Sequence, residues 1–96
     1  MVDFSDFFEV ALLADSKTAP HLGRLPRCES VPPGMQVGTY LEALALLYPL
    51  LTRDGPVAAI IDGALCDPGR QLRAGDVVTV FRLGDWSHSR REKRMA

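Results

Sequence analysis

Apolar and polar positions change period along the chain, and the changes divide it into elements. From Phe7 to Leu13 apolar residues fill both alternating sets, with Phe8, Val10 and Leu12 on one side and Phe7, Ala11 and Leu13 beside Glu9 on the other. This pattern predicts a strand covered largely on both faces. Asp15 to Arg24 (DSKTAPHLGR) mixes a proline and a glycine with polar and charged residues, which predicts a long exposed connection among the least ordered parts. Arg27 to Val31 forms a short second strand against the first, stopped by Pro32-Pro33-Gly34 and therefore at an edge. From Val37 the spacing becomes three and four. Val37, Tyr40, Leu41, Leu44, Leu47, Tyr48 and Leu51 mark one face of a helix. Thr39 followed by Glu42 fits a capping box that would start the helix, and Pro49 ends it near Tyr48.

The second half returns to strand patterning. Val57 to Ile61 is a continuous apolar run, Asp62-Gly63 is a two-residue turn that tolerates positive φ, and Ala64 to Cys66 returns as a partner strand. Asp67-Pro68-Gly69 breaks the pairing, Leu72 offers one apolar anchor, and Ala74-Gly75-Asp76 turns the chain into Val77 to Leu83. In that last run Val77, Thr79, Phe81 and Leu83 face one way and Val78, Val80 and Arg82 the other, so it is expected at the centre of a sheet. One helix and four or five strands must share one core. The expected fold is α+β, a mixed four- to five-stranded sheet with one main helix packed across one face. A right-handed crossover should carry the second strand through the helix to the third.

Composition narrows the class. Of 96 residues, 47% are hydrophobic and 24% charged, the balance of an ordinary globular domain and not of a disordered chain. No apolar stretch approaches the roughly 20 residues of a membrane helix, and Asp3 and Asp6 do not suit a signal peptide, so a cytoplasmic location is expected. The net charge of −1 is unevenly distributed, because Arg90, Arg91, Lys93 and Arg94 against Glu92 leave the last ten residues at +3. Residues 1–6 are expected to be a flexible extension, 7–86 the folded domain, and 87–96 a disordered basic tail.

Candidate chemistry is sparse. Cys28 and Cys66 lie far apart with no CxxC and no flanking histidine, and are expected as free, partly buried thiols. His21 and His88 have no acidic partner at metal-ligand spacing, and no nucleophile motif is present. No catalytic residue, metal or cofactor is expected. Asp62 and Asp76 have turn roles beside glycines, while Tyr40 and Tyr48 belong to the helical face. The basic tail could neutralise phosphates. Without interleaved aromatics other than Trp86, nucleic-acid contact is the weaker reading, and a solvated tail the stronger.

Three stretches carry a resemblance: Val37 to Leu44 (VGTYLEAL), Ile61 to Pro68 (IDGALCDP) and Leu72 to Arg82 (LRAGDVVTVFR). From about Phe8 to Gly84 the chain resembles ubiquitin-like β-grasp proteins of the MoaD/ThiS sulfur-carrier family. The resemblance implies a non-catalytic carrier whose terminal carboxylate, after a flexible Gly-Gly, is adenylated by an activating enzyme and converted to a thiocarboxylate for molybdopterin or thiamin synthesis. Here the pattern departs: Leu83-Gly84-Asp85-Trp86 stands where Gly-Gly is expected. Glycines thread a narrow active site because they lack Cβ atoms, whereas Trp86 and Asp85 obstruct it. The carboxylate of Ala96 lies up to about 40 Å of extended chain beyond Gly84. Two readings follow. One is an interaction module that binds a protein partner, such as an adenylating enzyme or a synthase subunit, through Phe81, Arg82, Leu83, Gly84 and Trp86. The other is a sulfur carrier made competent by cleavage after Gly84.

Overall fold

Alternation along the strands decides which face of the sheet the helix covers. The computed structural model describes residues 6–53 and 55–83. Its regular elements are β1 (Phe8–Ala14), β2 (Arg27–Val31), α1 (Val37–Leu47), β3 (Val57–Ile61), β4 (Ala64–Leu65) and β5 (Val77–Arg82), with 3₁₀ turns at Ala19–His21 and Pro49–Thr52. The sheet order is β2-β1-β5-β3-β4. β1 pairs antiparallel with β2 and parallel with β5, while β5 pairs antiparallel with β3. The last strand is central and the second is an edge, as their patterns predict. β2 and β3 therefore run parallel at a distance, and α1 carries the chain between them across the sheet.

Val10 and Leu12 on β1, Val78 and Val80 on β5, and Ala59 and Ile61 on β3 point to the helix and are buried. Val37, Tyr40, Leu41 and Leu44 of α1 meet them, with Leu22, Val31, Leu51 and Leu72 closing the core. The opposite face is not covered to the same degree. Glu9 is exposed, Ala11 and Leu13 are half-buried, and Val77 is exposed, so the expectation that β1 is buried largely on both sides is corrected. β1 also begins and ends one residue later than its apolar pattern suggests, and β5 ends at Arg82.

The capping box is absent. α1 begins at Val37 with Gln36 as its cap and no side-chain cap bond, two residues ahead of Thr39. Its first-turn amides are satisfied from elsewhere: Val37 N donates to Arg70 O at 2.8 Å and Gly38 N to Pro68 O at 2.9 Å. Backbone carbonyls of a distant loop thus take the place of a side-chain cap. A Cβ on Gly38 would stand 3.0 Å from Pro68 Cβ and 3.1 Å from its carbonyl oxygen. Glycine is what lets this loop approach.

The hairpin turn behaves as its residues require. Asp62 (φ 55°) and Gly63 (φ 78°) both occupy the left-handed region, giving the two-residue hairpin between β3 and β4. The 15–24 connection departs from expectation, since Thr18 and Leu22 are fully buried. Asp15 organises it by accepting from the Thr18 amide through Oδ1 at 2.9 Å and from the Ala19 amide through its carbonyl at 2.9 Å. Leu22 then plugs the core, which a polar-rich stretch conceals in sequence. Expectations for residues 1–5, Gly84, Trp86 and the 87–96 tail lie outside the described residues.

Candidate docking end of the sheet

Strand directions bring several segments to one end of the molecule. The C-terminal ends of β1 and β5 and the N-terminal ends of β2 and β3 lie together. The Pro49–Thr52 turn leads from the end of α1 to the same place. β5 ends there with Phe81, Arg82 and Leu83, held by a 2.9 Å hydrogen bond from Leu83 N to Pro56 O. Phe81 is 7% exposed, whereas Arg82 and Leu83 are half-buried, so the latter two present side-chain surface. Gly84 and Trp86, proposed from sequence beside them, fall outside the described residues.

Leu83 lines a half-open apolar groove of about 230 Å³ together with Val37, Leu41, Val57, Leu65 and Cys66. The groove forms because β4 covers only the far half of β3, pairing at Ile60 and Ile61 and leaving the Val57 end beside Leu83. Leu65 is 55% exposed at its rim. Leu83 is legible from the strand pattern, whereas the walls of the groove are not. The available signal was the brevity of the 64–66 return against the five-residue run it partners.

The neighbouring corner is fastened by Arg27. Its guanidinium donates to the carbonyls of Leu22 and Arg24, to Tyr48 Oη at 3.0 Å and to Glu29 at 3.2 Å, and lies 5.4 Å from the Tyr48 ring centroid. Glu29 also accepts from the Tyr40 hydroxyl. Burial, reinforced by the hydrogen bond to Glu29, pushes the Tyr40 phenol well above its usual range. Tyr40 therefore stays a neutral donor, and Tyr40 and Tyr48 are structural, as the helical spacing indicates.

Other candidates resolve into local roles. Asp62 is an exposed turn residue, and Asp76 bonds Arg70 at 2.9 Å and accepts from the Arg73 amide at 2.8 Å. Burial alone would raise the Asp76 carboxyl, but Arg70 and the Arg73 amide outweigh it and hold it below its usual range. Cys66 is a half-buried free thiol, while Cys28 is exposed on β2, which corrects its expected partial burial. Among the described residues no group of histidine, cysteine, aspartate and glutamate could hold a metal ion, and no helix is long and apolar enough to cross a membrane.

Comparison with solved structures supplies the fold's relatives. Small archaeal modifier protein 1 of Haloferax volcanii superposes with a TM-score of 0.63 at 21% identity, over 78% of this chain and 97% of that one. A protein of Pyrococcus furiosus assigned as molybdopterin converting factor, subunit 1, gives 0.67 at 19% identity, over 78% and 97%. The chain has the ubiquitin-like β-grasp fold. A second Haloferax volcanii structure agrees, with a TM-score of 0.61 at 22% identity over 77% and 93%. No protein-family model matches the chain, and no curated protein matches it.

Proposed function

We propose that this chain is a non-catalytic protein-interaction module on a ubiquitin-like scaffold, in or derived from a sulfur-transfer pathway of the molybdopterin or thiamin type. Its partner, an adenylating activating enzyme or a synthase subunit, docks at the end of β5 on Phe81, Arg82, Leu83, Gly84 and Trp86. The observation that carries this reading is the position of Leu83, at the end of the central strand and on the wall of an apolar groove. A partner side chain entering that groove is desolvated against Val57, Leu65 and Leu83, while Arg82 offers a charged contact at the margin. The neighbours support it as well, one being named a modifier protein and another a molybdopterin converting factor subunit.

Asp85 and Trp86 after Gly84 favour docking without activation, since a side chain at each position resists threading. The test is titration of the host's adenylating activating enzyme with the full chain, read by calorimetry and by ATP–pyrophosphate exchange. Binding without chain-dependent exchange is expected, and Leu83→Lys should weaken it about ten-fold or more. Unchanged affinity for the variant overturns the site. A second reading, a carrier trimmed after Gly84, draws on that glycine's place immediately past Leu83. An intact mass ending at Gly84 in protein from the native host, heavier by the difference between sulfur and oxygen, would establish it instead.

A further inference from the structure

The groove beside Leu83 opens where the chain still has its one tryptophan to place. Val37, Leu41 and Ala59 at its floor are buried. Its sides are fastened by main-chain bonds, from Gly38 N to Pro68 O, from Cys66 N to Ala59 O and from Leu83 N to Pro56 O, each 2.9 Å. The groove is therefore formed before anything enters it, which spares an occupant the ordering cost on this side. Every described lining residue is aliphatic or proline except Cys66. At about 230 Å³ the space exceeds the roughly 150 Å³ that takes a benzene ring and falls short of the roughly 300 Å³ where drug-sized ligand pockets begin. Its size and lining suit one bicyclic aromatic side chain.

Residues 84–96 follow Leu83, and Trp86 is the single tryptophan of the chain. Gly84 and Asp85 stand between the two. Gly-Asp is a turn pair, and at the centre of a four-residue turn it brings the first and fourth residues within about 7 Å. Leu83, at the first position, is itself a wall of the groove, so such a turn returns residue 86 to the rim. A straight continuation would carry residue 86 up to about 10 Å from Leu83 and leave a large apolar ring in water. The short tether also keeps the ring at high effective concentration, so one side chain can hold the groove without the contact area of a separate partner.

We infer that Trp86 of the same chain folds back over Gly84-Asp85 and seats its indole in the groove between Val57, Leu65 and Leu83, covering Cys66. The partner proposed above needs the same groove, so the free chain holds its docking site closed, and a partner that displaces the indole gains it as a contact. That consequence rests on the docking reading, whereas the contact itself does not.

The test uses the full chain with no partner. Trp86 is the only tryptophan, so its emission reports this one contact. The emission is expected to be blue-shifted and shielded from acrylamide relative to the same chain in urea. Leu65→Lys, at a rim position already 55% exposed, should restore the solvated spectrum, while Leu46→Lys, at a position 83% exposed outside the groove lining, should not. Circular dichroism matching wild type checks the fold of each variant. In a Cys28→Ser background, a maleimide should label Cys66 about ten-fold faster after Trp86→Ala, the factor for a ring docked in roughly nine molecules of ten. A solvated spectrum in the folded chain, shielding that survives Leu65→Lys, labelling unchanged by Trp86→Ala, or a blue shift that grows with concentration alongside a sedimenting dimer would each overturn the inference. Calorimetric binding of the activating enzyme can fail while these readouts hold, and can hold while they fail, so the two readings are separable.

Discussion

The two ends of α1 use the same kinds of residue to opposite effect. At the first end Val37, Tyr40, Leu41 and Leu44 are buried, and the turn is closed by carbonyls of Pro68 and Arg70. At the other end Leu46 and Leu47 stand mostly in solvent, and the chain passes into a 3₁₀ turn that returns only Leu51 to the core. A leucine's contribution to stability is set by what the fold lays over it. The sheet and the 68–72 loop cover the first end, whereas the second overhangs the corner fastened by Arg27.

The largest contrast should come from truncating leucines at the two ends. Leu44→Ala, or Leu12→Ala in the same core, is expected to cost about 2 to 5 kcal/mol, while Leu46→Ala and Leu47→Ala stay within about 0.5 kcal/mol. Urea denaturation measures both, and equal losses at the two ends would break the comparison. Gly38→Ala should destabilise by about 1 to 3 kcal/mol because the new methyl meets Pro68. Were the first turn an ordinary exposed one, alanine would instead stabilise it by up to about 1 kcal/mol. Glu29→Gln, which weakens the links to Arg27 and Tyr40, should cost on the order of 1 kcal/mol and loosen the corner under the second end, seen as faster amide exchange at Leu22 and Tyr48. Thr39→Ala should change stability by less than about 0.5 kcal/mol, since a capping residue would lose about 0.5 to 2 kcal/mol.

A pH-dependent effect is expected at the loop that closes the first end. Asp76 sits below its ordinary value of 3.8 in the folded chain, so its contribution is present above that pH and is lost as pH falls through the lower folded value. The stability difference between wild type and Asp76→Asn should therefore be level at neutral pH and shrink on acidification below about 4. A difference that grew on acidification would reverse the sign and contradict the ion pair with Arg70.

The fold's order was legible because each element carries its own period or turn chemistry. Val77 to Leu83 is apolar in both alternating sets and proves central, and Asp62-Gly63 supplies the positive φ its hairpin needs. The start of α1 was not legible, since its cap comes from Pro68 and Arg70, some thirty positions away, and local motifs pointed to Thr39. The burial of Thr18 and Leu22 was hidden for a similar reason: one leucine inside a polar connection is indistinguishable from a surface one until the core is assembled. At the candidate site, Leu83 followed from strand register, but the groove beside it arises from the shortness of β4. Leu46 and Leu50 fall off the expected helical face, but Leu47, expected on that face with Val37, Tyr40, Leu41 and Leu44, proves mostly exposed, because nothing packs over the last turn of α1.

The docking of a partner at the end of β5 is tested most directly by hydrogen–deuterium exchange on the full chain with and without the host's adenylating activating enzyme. Slowed exchange at Arg82 to Trp86, together with Val57 and Leu65 on the groove walls, is the predicted footprint. Protection confined to the Val77 face or to Leu46–Leu50, with β5 exchanging as in the free chain, would contradict it.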